Sequence, residues 1–119
     1  MRNALTTAKT YYTNNNSYGS TASIDVAAFS TLEPSLAFVA AQSSTALVNA
    51  NIVGVVADAD AAPETGVCLV GLSKTGTYFA IMDTSDAGTY YFKGSAAPTG
   101  CTSGTGGVFS YTTATAAGW

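Results

Sequence analysis

Apolar and polar positions in residues 2–18 (RNALTTAKTYYTNNNSY) recur with the period of an α-helix. On a wheel of about 100° per residue, Met1, Ala4, Leu5, Ala8, Tyr11 and Tyr12 share an arc of roughly 120°. Arg2, Asn3, Thr6, Thr7, Lys9, Thr10 and Thr13 fill the rest of the circumference. This predicts an amphipathic helix with one face for a core and one for water. Asn14, Asn15 and Asn16 end it, because Asn tolerates left-handed geometry and competes for backbone hydrogen bonds. The start has no N-cap residue, capping box or acidic first turn. The expectation is therefore that the chain begins part-way along a longer helix, with Met1 an expression start.

Downstream the pattern changes period. Asn14–Ser23 is a polar loop in which Asn15-Asn16-Ser17 matches a short glycosylation sequon. Asp25 is placed to cap a short helix over Val26–Glu33, with Ile24 and Phe29 at hydrophobic-staple spacing and Pro34 ending it. Val26, Phe29 and Leu32 are expected to face inward. Leu36–Ala41 reads as a first strand anchored by Phe38, and the β-branched run Asn51–Ala57 as a second. Asp58–Thr65 is a loop by composition. Val67–Ser73, Thr77–Asp83 and Thr89–Lys93 follow as strands joined by Lys74-Thr75-Gly76 and Asp86-Ala87-Gly88, which is hairpin chemistry and predicts an antiparallel meander. The Gly/Ala/Thr-rich stretch from Gly94 to Trp119 is mostly irregular, with Val108–Tyr111 a candidate edge strand. The fold class is α+β.

Composition narrows the setting. The 119 residues suffice for one domain with its own core. Only 9% of them are charged, far below the usual quarter, and Ser and Thr at about a quarter of the chain take their place. Such a hydroxyl-solubilised surface is common among secreted and cell-surface proteins. The net charge of −3, with basic residues scattered at Arg2, Lys9, Lys74 and Lys93, argues against a nucleic-acid partner. The cysteines are Cys68 and Cys101. An even count in this composition favours a disulfide in an oxidising compartment over two buried free thiols. Such a bridge contributes up to about 3.7 kcal/mol in the chain-entropy model. No apolar run approaches the roughly 20 residues of a membrane span, and no signal peptide is present.

Candidate chemistry is sparse. The chain contains no histidine, which removes Ser-His-Asp and Cys-His arrangements and the commonest metal ligand. Gly71–Gly76 misses nucleophile-elbow spacing by one residue, and Gly66-x4-Gly71 precedes Leu72 where a phosphate loop needs Lys. Gly104–Gly107 has no helix behind it to supply a dipole. The pairs Asp58/Asp60 and Asp83/Asp86 carry oxygen ligands suited to a weak Ca²⁺ site, but without EF-hand spacing they read more simply as solvated turn carboxylates. Tyr78, Phe79, Tyr90, Tyr91 and Phe92 read as sheet core and cross-strand pairs, with a carbohydrate-stacking platform as the alternative. The expectation is a non-enzyme without a cofactor or metal.

The opening Arg2–Tyr18 resembles the end of the long N-terminal helix of type IV pilins, closest to those of Gram-positive, actinobacterial kind. Phe29–Leu36 (FSTLEPSL) is similar to the same group, as is Val67-Cys68-Leu69 followed by a meander and a second Cys. The resemblance implies a pilin headgroup in one domain, 1–119. In it, 1–14 ends the long helix, 15–50 connects through a short helix, and 51–119 forms an antiparallel sheet and a disulfide-tied C-terminal region. Ala4, Leu5, Ala8, Tyr11 and Tyr12 would dock the helix on the sheet, and its polar face would meet neighbouring subunits. The family's leader, its early Glu and the apolar half of its helix are absent. The chain as written is thus expected to be monomeric, meeting membrane and filament core only through the missing segment. The implied role is structural: an extracellular pilus subunit whose partners are other pilins and whose filament serves adhesion, motility or DNA uptake. A pseudopilin of a type II-like secretion system is the nearest alternative. Some of these use Ca²⁺ where others use a disulfide, so the two cysteines favour a pilin. A secreted carbohydrate-binding module is the alternative from another class, and it requires an exposed aromatic row.

Overall fold

Threonine is a poor helix former, yet the first helix of the computed structural model holds four of them. That structure describes residues 1–18, 25–40, 46–57, 66–85 and 88–98. Helix α1 spans Arg2–Asn15. The hydroxyls of Thr6, Thr7, Thr10 and Thr13 donate to the carbonyls four residues back, at 3.2, 2.9, 3.0 and 2.8 Å. They are thereby satisfied within the helix instead of competing with it. Asn16 closes the helix in the left-handed region (φ 53°, ψ 29°), and its N–H donates to the Tyr12 carbonyl at 2.7 Å. The Asn15 amide donates to the Tyr11 carbonyl at 2.9 Å.

Helix α2, Val26–Leu32, starts where the Asp25 carboxylate accepts the Ala28 N–H at 2.9 Å. It stops at Glu33, whose extended backbone is what a following Pro34 requires. Ile24, the outer half of the expected staple, lies outside the described residues. Phe29 is fully buried and Val26 partly so, but Leu32 is 42% exposed, which corrects the inward placement expected of it. The helix is only seven residues long, and its last residue lies beside the threonine face of α1 instead of over the sheet.

Five strands follow: β1 Ala37–Val39, β2 Ile52–Ala57, β3 Gly66–Leu72, β4 Tyr78–Thr84 and β5 Gly88–Gly94. They lie side by side in chain order, and β2 to β5 form the antiparallel meander. The sheet is nevertheless mixed, because β1 pairs parallel to β2 (Phe38 opposite Val53). This corrects the expectation of a purely antiparallel sheet. A parallel neighbour cannot be reached by a two-residue hairpin, and the chain between Val39 and Ile52 is longer than that. The β3–β4 turn depends on Gly76 at φ 80°, with the Ser73 hydroxyl accepting the Thr77 N–H. The expected edge strand Val108–Tyr111 and the Asp58–Thr65 loop lie outside the described residues.

The strand alternation divides the sheet into two faces. Val53, Val55, Val67 and Leu69 face the helices and form one core with Ala4, Ala8, Tyr18, Phe29 and Phe38. Cys68, Val70, Ala80 and Met82 point the other way, into a second core with Leu47 and Tyr78. The α1 axis runs opposite to β3. Met1 Sδ lies 3.0 Å from where a Cβ on Gly71 would stand, and Lys9 reaches β4 at Asp83, opposite Val67.

Candidate functional site

Two attachments hold α1 to the sheet, and they are chemically unlike. The first is apolar. Ala4 and Ala8 are fully buried, and their small side chains let the helix backbone lie close over the sheet. Met1, Leu5, Tyr11 and Tyr12 pack half-buried around them. The Tyr11 and Phe29 rings lie 4.9 Å apart, and Phe29 meets Phe38 edge-on at 5.4 Å, which links α1 to α2 and β1. Thr7 completes the buried arc at 5% exposure. Its hydroxyl already donates to Asn3, so burying it leaves no donor without a partner.

The second attachment is polar and centres on Asp83, which is 4% exposed on the helix side of β4. The Tyr18 hydroxyl donates to its Oδ2 at 2.6 Å. The Thr89 hydroxyl on β5 donates to Oδ1, and the Lys9 ammonium approaches the same oxygen at 3.2 Å. One carboxylate thus joins α1, the turn after it, β4 and β5. Charge-assisted hydrogen bonds are the stronger kind, whereas the Lys9 contact is weaker because that side chain is half in water. Burial pushes the Tyr18 phenol well above its usual range, and donation to Asp83, the carboxylate's charge and nearby Tyr12 push it further. Tyr18 is therefore neutral and a donor at any physiological pH. Its ring packs on Tyr12 at 4.6 Å.

Beside this clasp an open recess of about 350 Å³ is lined by Lys9, Tyr12, Thr13, Thr84, Ser85 and Gly88 among others. The recess brings an aromatic wall, hydroxyls and an ammonium together. Asp83 itself has both oxygens engaged by donors, so it is neither a solvated turn carboxylate nor an open metal ligand. That corrects the simple reading of the Asp83/Asp86 pair, while Asp86, Asp58 and Asp60 lie outside the described residues. Among the described residues no three His, Cys, Asp or Glu side chains converge to hold a metal. Cys68 is fully buried on β3 and no described cysteine is free. Cys101 lies outside the described residues.

No family model, curated protein or solved structure matches this chain. No helix among the described residues is long and apolar enough to cross a membrane.

The clasp was not visible to pattern reasoning. Tyr18 and Asp83 are 65 positions apart, and each sits next to a loop where a polar residue is ordinary. The one available signal was the even residue spacing of β4. Asp83 falls on the same strand face as Ile81, which is buried, so a carboxylate there needs donors.

Proposed function

We propose that this chain is the globular domain of a structural, filament-forming subunit of the type IV pilin kind, carried outside the cell and without catalytic activity. The observation that carries the reading is the lengthwise docking of α1 on one face of the sheet, with Ala4 and Ala8 seated at 0% exposure. A helix fixed this firmly can transmit position from a filament axis to a globular head, while its threonine-lined outer face is open to neighbouring subunits. Partners are other copies of the same kind of subunit. The proposal includes a Cys68–Cys101 disulfide that ties the C-terminal segment to β3. Mass spectrometry of the denatured, unreduced chain should then find no thiol reactive to alkylation.

The aromatic placement supports this reading over a sugar-stacking module. Every described aromatic is buried or half-buried, including Phe79, Tyr90, Tyr91 and Phe92. The deciding experiment is to shear surface filaments from the source cells and identify their components by mass spectrometry. Recovery of this chain as a filament component is the expected result. Its absence from filaments, with the chain found free in the medium, overturns the proposal.

A further inference from the structure

The recess beside the clasp carries chemistry that the attachment of α1 does not use up. Its volume of about 350 Å³ lies at the small end of ligand pockets, which run from roughly 300 to 1,000 Å³. That is room for one substituted ring. Tyr12 forms one wall, with its ring braced by Tyr18 at a centroid distance of 4.6 Å. Lys9, Thr13 and Ser85 bring polar groups to the others. Gly88 is exposed at φ 90° with open space where a side chain would stand, which keeps the entrance clear.

Hydrogen-bonding capacity remains on the clasp itself. The Lys9 ammonium has three N–H donors, and its ion pair with Asp83 Oδ1 at 3.2 Å occupies one. An ionised carboxylate has about four acceptor sites, and Tyr18, Thr89 and Lys9 take three of those on Asp83. The Thr13 hydroxyl donates to the Lys9 carbonyl and keeps its acceptor side. Asp83 is buried and Lys9 half-exposed, so the spare acceptor lies at the floor and the spare donors at the mouth.

Charge selects the class of ligand. An anion drawn to Lys9 meets the Asp83 carboxylate beside it, and a cation drawn to Asp83 or the Tyr12 ring meets the ammonium. The recess therefore suits a neutral molecule with donors and acceptors side by side. A purely apolar one would strip water from both charges and replace none of its hydrogen bonds. A pyranose meets both conditions, because adjacent hydroxyls donate and accept while its C–H face packs on the negative face of an aromatic ring. We infer that this recess binds a single neutral sugar ring, stacked on Tyr12, with neighbouring hydroxyls bridging Lys9 and Asp83. One pocket with one ring differs from the exposed aromatic row of a sugar-stacking sheet. The inference is also independent of the filament reading, since every residue it uses belongs to one copy.

The test is an NMR titration of the labelled chain with methyl glucoside, methyl galactoside, methyl mannoside and N-acetylglucosamine, each to about 100 mM. Sodium phosphate and tetramethylammonium chloride at the same concentration are the charged probes. The expected result is saturable amide shifts at Thr13, Ser85 and Gly88 with at least one sugar. The Kd should be millimolar, in keeping with a ligand of about a dozen heavy atoms. Lys9→Met should weaken binding about tenfold, the loss of one charge-assisted hydrogen bond. Tyr12→Leu should abolish saturation, since it removes the ring while keeping an apolar side chain against the core. The spectrum without sugar verifies the fold of each variant, and Lys9→Met decides alone if Tyr12→Leu disturbs the helix. No saturable shift with any of the four sugars overturns the inference. So does a tighter response to phosphate or tetramethylammonium, a set of shifts confined to other surfaces, or unchanged affinity in Lys9→Met. None of these outcomes alters the filament-shearing result.

Discussion

The two ends of α1 meet the same sheet by different physics. Ala4 and Ala8 share one core with Val53, Val55, Val67 and Leu69, an apolar attachment that is short-ranged, indifferent to pH and insensitive to salt. Near Tyr12 the attachment is a single buried carboxylate gathering three donors from three elements. The apolar seat allows some sliding, because area buried is all it rewards. The clasp fixes position, because a hydrogen bond misplaced by an ångström is lost. A helix that must hold a head at a set angle profits from having both.

Substitutions separate the apolar attachment from the polar one, beginning with the apolar one. Phe29→Ala removes the ring that joins Tyr11 to Phe38 and should cost about 3–5 kcal/mol in chemical denaturation. A loss below about 1 kcal/mol would show that the seat collapses to fill the space. At the clasp, Asp83→Ala leaves the buried Tyr18 hydroxyl without its acceptor and should cost about 3 kcal/mol, less than Phe29→Ala because Lys9 can turn to water.

Tyr18→Phe should cost about 2 kcal/mol, since the carboxylate loses one donor but keeps Thr89 and Lys9. The same variant tests a pH dependence. The phenol's pKa is raised by folding, so above about pH 10 the unfolded chain gives up a proton that the folded chain keeps. Stability that is fully present below pH 10 must then fall as pH rises, by up to about 1.4 kcal/mol per pH unit from this group. Wild type should show that extra slope relative to Tyr18→Phe in unfolding curves at pH 9 to 11, and equal slopes would place the phenol in water. The smallest effect belongs to Lys9→Met. The ammonium is half-exposed, so the cost should stay below about 1 kcal/mol and shrink further in high salt.

Local features proved legible wherever one stretch of chain decides them. The Asn16 left-handed cap, the Asp25 N-cap, the strand alternation and Gly76 in its turn each depend on neighbours within four residues. What was missed depends on distant chain. Thr7 looks polar on a wheel, but its hydroxyl donates back to the Asn3 carbonyl, which lets the residue be buried. The parallel pairing of β1 with β2 joins strands that are separated by more than a hairpin turn, and no strand pattern encodes its direction. Leu32 has the spacing of Phe29's apolar face, yet as the last residue of a seven-residue α2 it lies beside the threonines of α1 and stays exposed. Asp83 resembles a turn residue until Tyr18 is placed beside it.

The most direct measurement is native-state hydrogen exchange along α1 in wild type and Asp83→Asn. Two independent attachments predict that amides near the clasp, Tyr11 to Asn15, lose protection about tenfold while those of Leu5 to Ala8 stay nearly as they were. Equal loss along the whole helix, or none at Tyr11 to Asn15, would contradict the division of labour between seat and clasp.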